Sequence, residues 1–140
     1  MKTFFLILFF SETVLLTRDP IAIGNEYVEI TPKETFSAIT GGAAIYIDVS
    51  SHVPDGYTLT EQFEFVDKRF PDESVQGVII DKNGREYSIT NEGSSHAHED
   101  VRLIVRHDSS MPTNVDFDKV KLKSRMPMEH VSVFWKNFTM

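Results

Sequence analysis

The sequence contains no cysteine. Disulfide staples, thiolate metal sites and cysteine nucleophiles are excluded together. Glycine and proline are modest, at 7 and 6 residues, and no repeat or low-complexity tract is present. Bases are outnumbered: 14 Lys and Arg against 21 Asp and Glu give a formal charge of −7. That balance argues against nucleic acid as a partner, because phosphate affinity comes from clustered cations. No apolar run reaches the about 18–20 residues that a membrane-spanning helix needs. A G-x-S-x-G nucleophile elbow is missing, and Gly41-Gly42 lacks the Lys-Ser/Thr that would make a phosphate loop. No residue is singled out as catalytic, and no cofactor is called for.

What remains is an ordinary globular composition. The 140 residues are 41% apolar and 25% charged, with 11 Phe among them. A chain of this length fits one domain, which buries roughly 65–70% of the surface its unfolded chain exposes and needs no staple. The charge is uneven. From Glu26 to Glu73 there are ten acids and three bases, giving −7; from Phe117 to Met140 there are two acids and five bases, giving +3. An acidic surface and a basic strip on one small domain suit a polar partner or an oriented surface.

Residues 1–24 form an apolar N-terminal segment, separate from a single domain over 25–140. Met1-Lys2 followed by Thr3-Phe-Phe-Leu-Ile-Leu-Phe-Phe10 has the start of a secretory signal, but Glu12 interrupts it and Arg18-Asp19 precede any small-residue cleavage site. The same residues suit a pair of strands with Ser11-Glu12 at the turn. Membrane association through residues 3–16, as an anchor or export remnant, is the third reading. An apolar strand left open to water would be an aggregation hazard, so the segment must be paired, covered or embedded.

Beyond it the chain reads as short strands between turns. Ala43, Ile45, Ile47 and Val49 alternate on one face, as do Val101, Leu103 and Val105, then Val131, Val133 and Trp135. Asp81-Lys-Asn-Gly84 is a hairpin turn, with Gly84 at the positive-φ position. Thr58-Leu-Thr-Glu61 matches a capping box, and Leu59, Phe63, Val66 and Phe70 then recur at helical spacing until Pro71. One short helix over about 59–70 and about eight to ten strands predict an all-β, mainly antiparallel β-sandwich or jelly-roll-like domain. The polar stretch 91–100 reads as the connection between two strands.

Two constellations are candidate sites. His96-x-His98, in the stretch GSSHAHED, would put both imidazoles on one face of a strand, as a nitrogen-ligated metal site requires. The stretch resembles the first motif of the cupin family, which runs glycine, H-x-H, a glutamate a few residues on, and glycine. Here Gly93 lies too close to His96, Glu99 follows His98 directly, and Arg102 stands at the glutamate position. The resemblance would imply a metal site at His96 and His98; otherwise the stretch is a solvated loop. Lys119, Lys121, Lys123 and Arg125 form the second candidate, an anion- or partner-binding strip, or else charges that protect an edge strand.

The reading that joins these features is a non-catalytic β-sandwich interaction module. A bacterial cell-envelope or periplasmic setting is favoured over the cytoplasm if the N-terminal run is an anchor or export remnant. Two alternatives stand beside it. One is a small acidic cytoplasmic inhibitor or immunity-type protein that meets a basic partner with the Glu26–Glu73 acids. The other is a cupin-like metal-dependent enzyme at His96 and His98. The expected partner is another protein. A glycan ligand would require Phe134, Tyr46, Tyr57 or Tyr87 to line up on an exposed face.

Overall fold

The computed structural model describes residues 11–97 and 100–138. In chain order the elements are β1 (Ser11–Leu15), β2 (Ile21–Ile23), β3 (Val28–Ile30), β4 (Phe36–Ser37), β5 (Ala44–Asp48), α1 (Leu59–Arg69), β6 (Val75–Asp81), β7 (Glu86–Ala97), β8 (Asp100–Arg106), β9 (Asp116–Ser124) and β10 (Met128–Phe138). A 3-10 turn, Ser50–His52, follows β5. The fold is all-β, with one α-helix among the described residues. No helix among the described residues is long and apolar enough to cross a membrane.

All ten strands join one antiparallel sheet in the order β1-β10-β5-β8-β7-β6-β9-β3, with β2 also on β10 and β4 also on β9. The mainly antiparallel all-β fold read from the sequence is present as one curled sheet, because a strongly twisted sheet of many strands can bury one face against itself. Phe36, Phe117 and Trp135 come from β4, β9 and β10, and their ring centroids lie 5.0–5.8 Å apart inside the curl. The alternating residues predicted to point inward do so: Ile45, Ile47, Val49, Val105, Val131, Val133 and Trp135 are all fully buried. Residues 11–23 contribute β1 and β2 to this sheet, and Leu16 and Ile23 enter the core; residues 1–10, with the rest of the N-terminal apolar run, lie outside the described residues.

Side chains complete the closure between β10 and β4. Trp135 Nε1 and Asn137 Nδ2 both donate to the Ser37 carbonyl, at 3.1 and 2.8 Å. Asn137 Oδ1 accepts the Ile39 N–H at 2.9 Å. Asn137 is wholly buried, so these bonds satisfy polar groups that have no water to turn to.

The helix is capped as its sequence predicts. Thr58 Oγ1 accepts the Glu61 N–H at 3.2 Å, and Glu61 Oε1 accepts the Thr58 N–H at 2.9 Å. These bonds to Thr58 hold the Glu61 carboxyl below its ordinary pKa. Only the C-terminal half of the predicted apolar stripe docks fully: Val66 and Phe70 are buried, Phe63 is half-buried, and Leu59 stays 50% exposed. The anchor for that docking is Asn91, a wholly buried residue on β7. Its Oδ1 accepts the Val75 N–H at 2.7 Å, its Nδ2 donates to the Pro71 and Phe70 carbonyls at 3.1 and 3.5 Å, and its carbonyl accepts the Glu73 N–H at 3.0 Å.

The polar stretch after Asn91 is not a loop. β7 continues through Ala97 and pairs with β8 down to the Ala97–Asp100 pair. A bulge between Asn91 and Ser94, with Gly93 at φ 73°, shifts the register there. The bulge breaks the alternation that would have marked the strand.

A candidate binding face on the outer surface of the sheet

Cross-strand register sorts the outward side chains of β1, β10, β5 and β8 into rows. The middle row is Leu15–Phe134–Tyr46–Ile104. On one side lies the row Thr13–Lys136–Ala44, and at the same level β8 presents Arg106. On the other lies Ser132–Asp48–Arg102–Ser95. The pattern follows from alternation: Val133 and Trp135 point in, so Phe134 and Lys136 point out, and in Val101-Arg-Leu-Ile-Val-Arg106 the arginines take the outward places.

The cations lie against the rings. The Arg102 guanidinium is 4.7 Å from the Phe134 ring centroid, and Lys136 Nζ is 5.7 Å from that of Tyr46. Arg102 also reaches Asp100 at 3.5 Å, and Asp48 Oδ1 accepts the Ser50 N–H. Tyr46 is only 7% exposed beneath this cover. Burial raises its hydroxyl pKa, and the charges of Arg106 and Arg102 oppose that rise. Burial and the like charge of Arg102 both lower the Lys136 pKa. Burial is the larger cause of both shifts, and the opposing or added charge effects come from Arg102 and Arg106 nearby.

The neighbouring row extends the pattern over the rest of the sheet. Arg106, Thr90, Gln76 and Lys123 are successive cross-strand partners. Lys123 Nζ stacks 4.7 Å from the ring centroid of Tyr27, which is half exposed. A shallow groove of about 420 Å³ runs here, lined by Tyr27, Gln76, Ser88, Thr90 and Arg106 with Glu73 among its carboxylates. Lys119, Lys121 and Lys123 do share the outward face of β9, but β9 is no edge strand: β6 flanks it on one side, β3 and β4 on the other. Edge protection is therefore not what these lysines do. Glu29 faces Lys121 across the ladder and approaches Lys119 at 3.9 Å, which neutralises part of the strip. Arg125 sits beyond β9 in the turn to β10, where its N–H donates to the Ser74 carbonyl.

The histidines are spread out. His52 Nε2 accepts the Glu129 N–H at 3.0 Å, while Ser51 Oγ donates to the His130 carbonyl at 3.2 Å. Both side chains thus hold the bulged start of β10, where His130 adopts φ 56°. His107 Nδ1 meets the Ser88 carbonyl, and its ring packs edge-on to Tyr87. His96 lies in β7 near the tip of the β7–β8 hairpin; its side chain and the whole of His98 and Glu99 lie outside the described residues. Among the described residues no group of three or more His, Asp and Glu side chains is placed to hold a metal.

Of the rings named from sequence, Tyr46 and Phe134 align in one row, whereas Tyr87 packs against Phe117 and Tyr57 lies beside α1 against Phe65. Arg102, Arg106 and Lys136 were not singled out from the sequence. Each alternates with buried Val, Leu or Trp, and that alternation was the available signal. No protein-family model matches this chain, and neither a curated protein nor a solved structure is similar to it.

Proposed function

We propose that the protein is a non-catalytic interaction module that engages an anionic partner through the outer face of β10, β5 and β8. One observation carries this reading. On a chain of formal charge −7, Lys136 lies over the ring of the buried Tyr46, and Arg102 and Arg106 take the outward places on either side of Ile104, its partner on β8. Among the described residues the outward positions of these three strands carry three carboxylates: Asp48 and Asp100, both near Arg102, and Glu129 at the start of β10. The Arg106–Lys136 end faces outward with positive charge, and the Arg106–Thr90–Gln76–Lys123 row prolongs it. Electrostatic complementarity of this kind sets partner choice and association rate. A cell-envelope setting fits the apolar N-terminal run.

The test is chromatography of the purified full chain on immobilised heparin at low salt. An acidic protein is retained there only by a local basic face. Retention of the wild type, and its loss in the double variant Arg106→Glu/Lys136→Glu, is the expected result. Passage of the wild type in the void, or an unchanged elution salt for the variant, would overturn the reading.

A further inference from the structure

We infer, resting on the reading above, that the anionic partner is an acidic polysaccharide, a chain of sugars bearing carboxylate or sulfate groups, laid along the groove between Arg106 and Lys123. The Lys136–Ala44–Arg106 row and the Arg106–Thr90–Gln76–Lys123 row meet at Arg106, so they form one line across six neighbouring strands, from β10 to β9. Measured along the sheet, Lys136 and Arg106 stand two interstrand spacings apart, and Arg106 and Lys123 three, or about 10 and 14 Å. Between them lie Ala44, Thr90 and Gln76, so the line carries three cations and no carboxylate. Arg106 is exposed, and among the described residues it makes no ion pair.

Carboxylates flank this line, and they select the partner. The groove of about 420 Å³ is walled by Asp108, two residues past Arg106 on the Ser88 side, and by Glu73, three residues before Gln76 on the other side. A folded acidic protein spread over this face would set its own carboxylates against both. A single extended chain lies along the cations and between the walls. Hydrogen bonding narrows the chemistry of that chain. Ionised Asp and Glu side chains of an acidic peptide only accept hydrogen bonds, as do the carboxylates of Glu73 and Asp108. Sugar hydroxyls both donate and accept, so they satisfy the two walls as well as Gln76, Ser88 and Thr90, while the anionic groups of the same chain meet Lys123 and Arg106. Single-stranded nucleic acid would want a ring for each base. Among the described residues the groove is lined by one ring, Tyr27, and Lys123 already lies against it.

Isothermal titration calorimetry of the full chain at low salt tests the inference. The probes are an oligogalacturonate, a heparin oligosaccharide and an oligoglutamate of matched charge. At least one of the sugars is expected to bind about tenfold more tightly than the peptide. The Glu73→Ala/Asp108→Ala variant separates the two chemistries by sign. It removes two negative charges, so it should bind oligoglutamate more tightly. It also removes two acceptors of hydroxyl hydrogen bonds, so it should bind the sugar about tenfold more weakly. Its thermal unfolding is measured alongside; if it does not fold, Asp108→Ala alone replaces it. No binding of either sugar, oligoglutamate binding as tightly as both, or a folded variant that keeps or gains sugar affinity overturns the inference. In each of these cases, retention of the wild type on heparin through Arg106 and Lys136 leaves the anionic-partner reading standing. If heparin does not retain the chain and no probe binds, both fall.

Discussion

Replacing Asn91 tests the junction between helix and sheet. In Asn91→Ala the Val75 N–H loses its acceptor, and Val75 is wholly buried, so water cannot substitute. A buried donor left unsatisfied costs about 1–3 kcal/mol. The Pro71 and Phe70 carbonyls lose their shared donor as well, at about 1 kcal/mol for the pair. The sum is about 3 kcal/mol, or about 10 °C in Tm for a domain of this size. Urea and thermal unfolding measure it, and hydrogen exchange at the Val75 amide should quicken in step. Asn91→Asp sharpens the test. Its carboxylate could still accept from Val75, but its other oxygen would face two carbonyls in place of a donor. The charged form is then disfavoured, so the folded-state pKa of this carboxyl rises above the unfolded one. A raised carboxyl pKa means stability is fullest below the unfolded pKa and falls as pH climbs through the folded one. The Asp variant should therefore be weak at neutral pH and recover toward wild type in acid. An Asn91→Ala loss below about 1 kcal/mol, or an Asp variant equal to wild type at pH 7, would refute this account of the junction.

Two other substitutions probe the sheet. A Cβ on Gly77 would strike the Lys121 carbonyl oxygen and Leu122 Cδ2 on neighbouring β9, and both belong to a tightly paired ladder; Gly77→Ala should lower the unfolding free energy measured in urea by about 1–3 kcal/mol, whereas Gly24→Ala, with nothing within 4 Å of the new atom, should not. For Asp81, burial pushes the carboxyl pKa up, but bonds from the Arg85 and Asn83 N–H groups and the Tyr87 hydroxyl, with the Arg85 charge, hold it below the ordinary value. A depressed carboxyl pKa gives stability that is present above the unfolded pKa of about 3.9 and lost as pH falls through the folded one. Asp81→Asn should thus be less stable than wild type at neutral pH and approach it in acid; parallel stability-against-pH curves would contradict this.

Much of the interior was legible because alternation survives wherever one face is buried and the other wet. Ile45 and Ile47, Leu103 and Val105, and Val133 and Trp135 needed only a count of two. The helix was legible through Thr58 and Glu61, since a capping box is a local device. Its docking was not, because the helix meets the sheet at Val66 and Phe70 near the Asn91 junction and leaves Leu59 outside. The strand returning from the Asp81–Gly84 turn was legible to Thr90, but the rest of β7 was hidden for a related reason. Its outer half carries Asn, Glu, Gly and Ser, and the bulge at Gly93 shifts register so that no period of two runs through it. The candidate face was the least visible. Phe134, Tyr46, Ile104 and Leu15 lie far apart in sequence; Phe134 and Tyr46 stood out only as two of four rings, and Ile104 and Leu15 as single outward side chains. Only strand order and register make them a row.

The strand order has a consequence for how the chain reaches this state. Among the described residues β1 to β5 make no pair with one another: β1, β2 and β5 pair with β10, β3 and β4 with β9, and β5 also with β8. A nascent chain released only as far as Asp48 holds five strands with nothing to bond to. Loop closure over such separations comes before any contact rewards it, so folding should be slow for a domain of this length. The rate-limiting event would wait for Met128–Phe138 to emerge from the ribosome. Until then the early strands are unpaired, and unpaired strand edges are what make partly folded chains prone to aggregate.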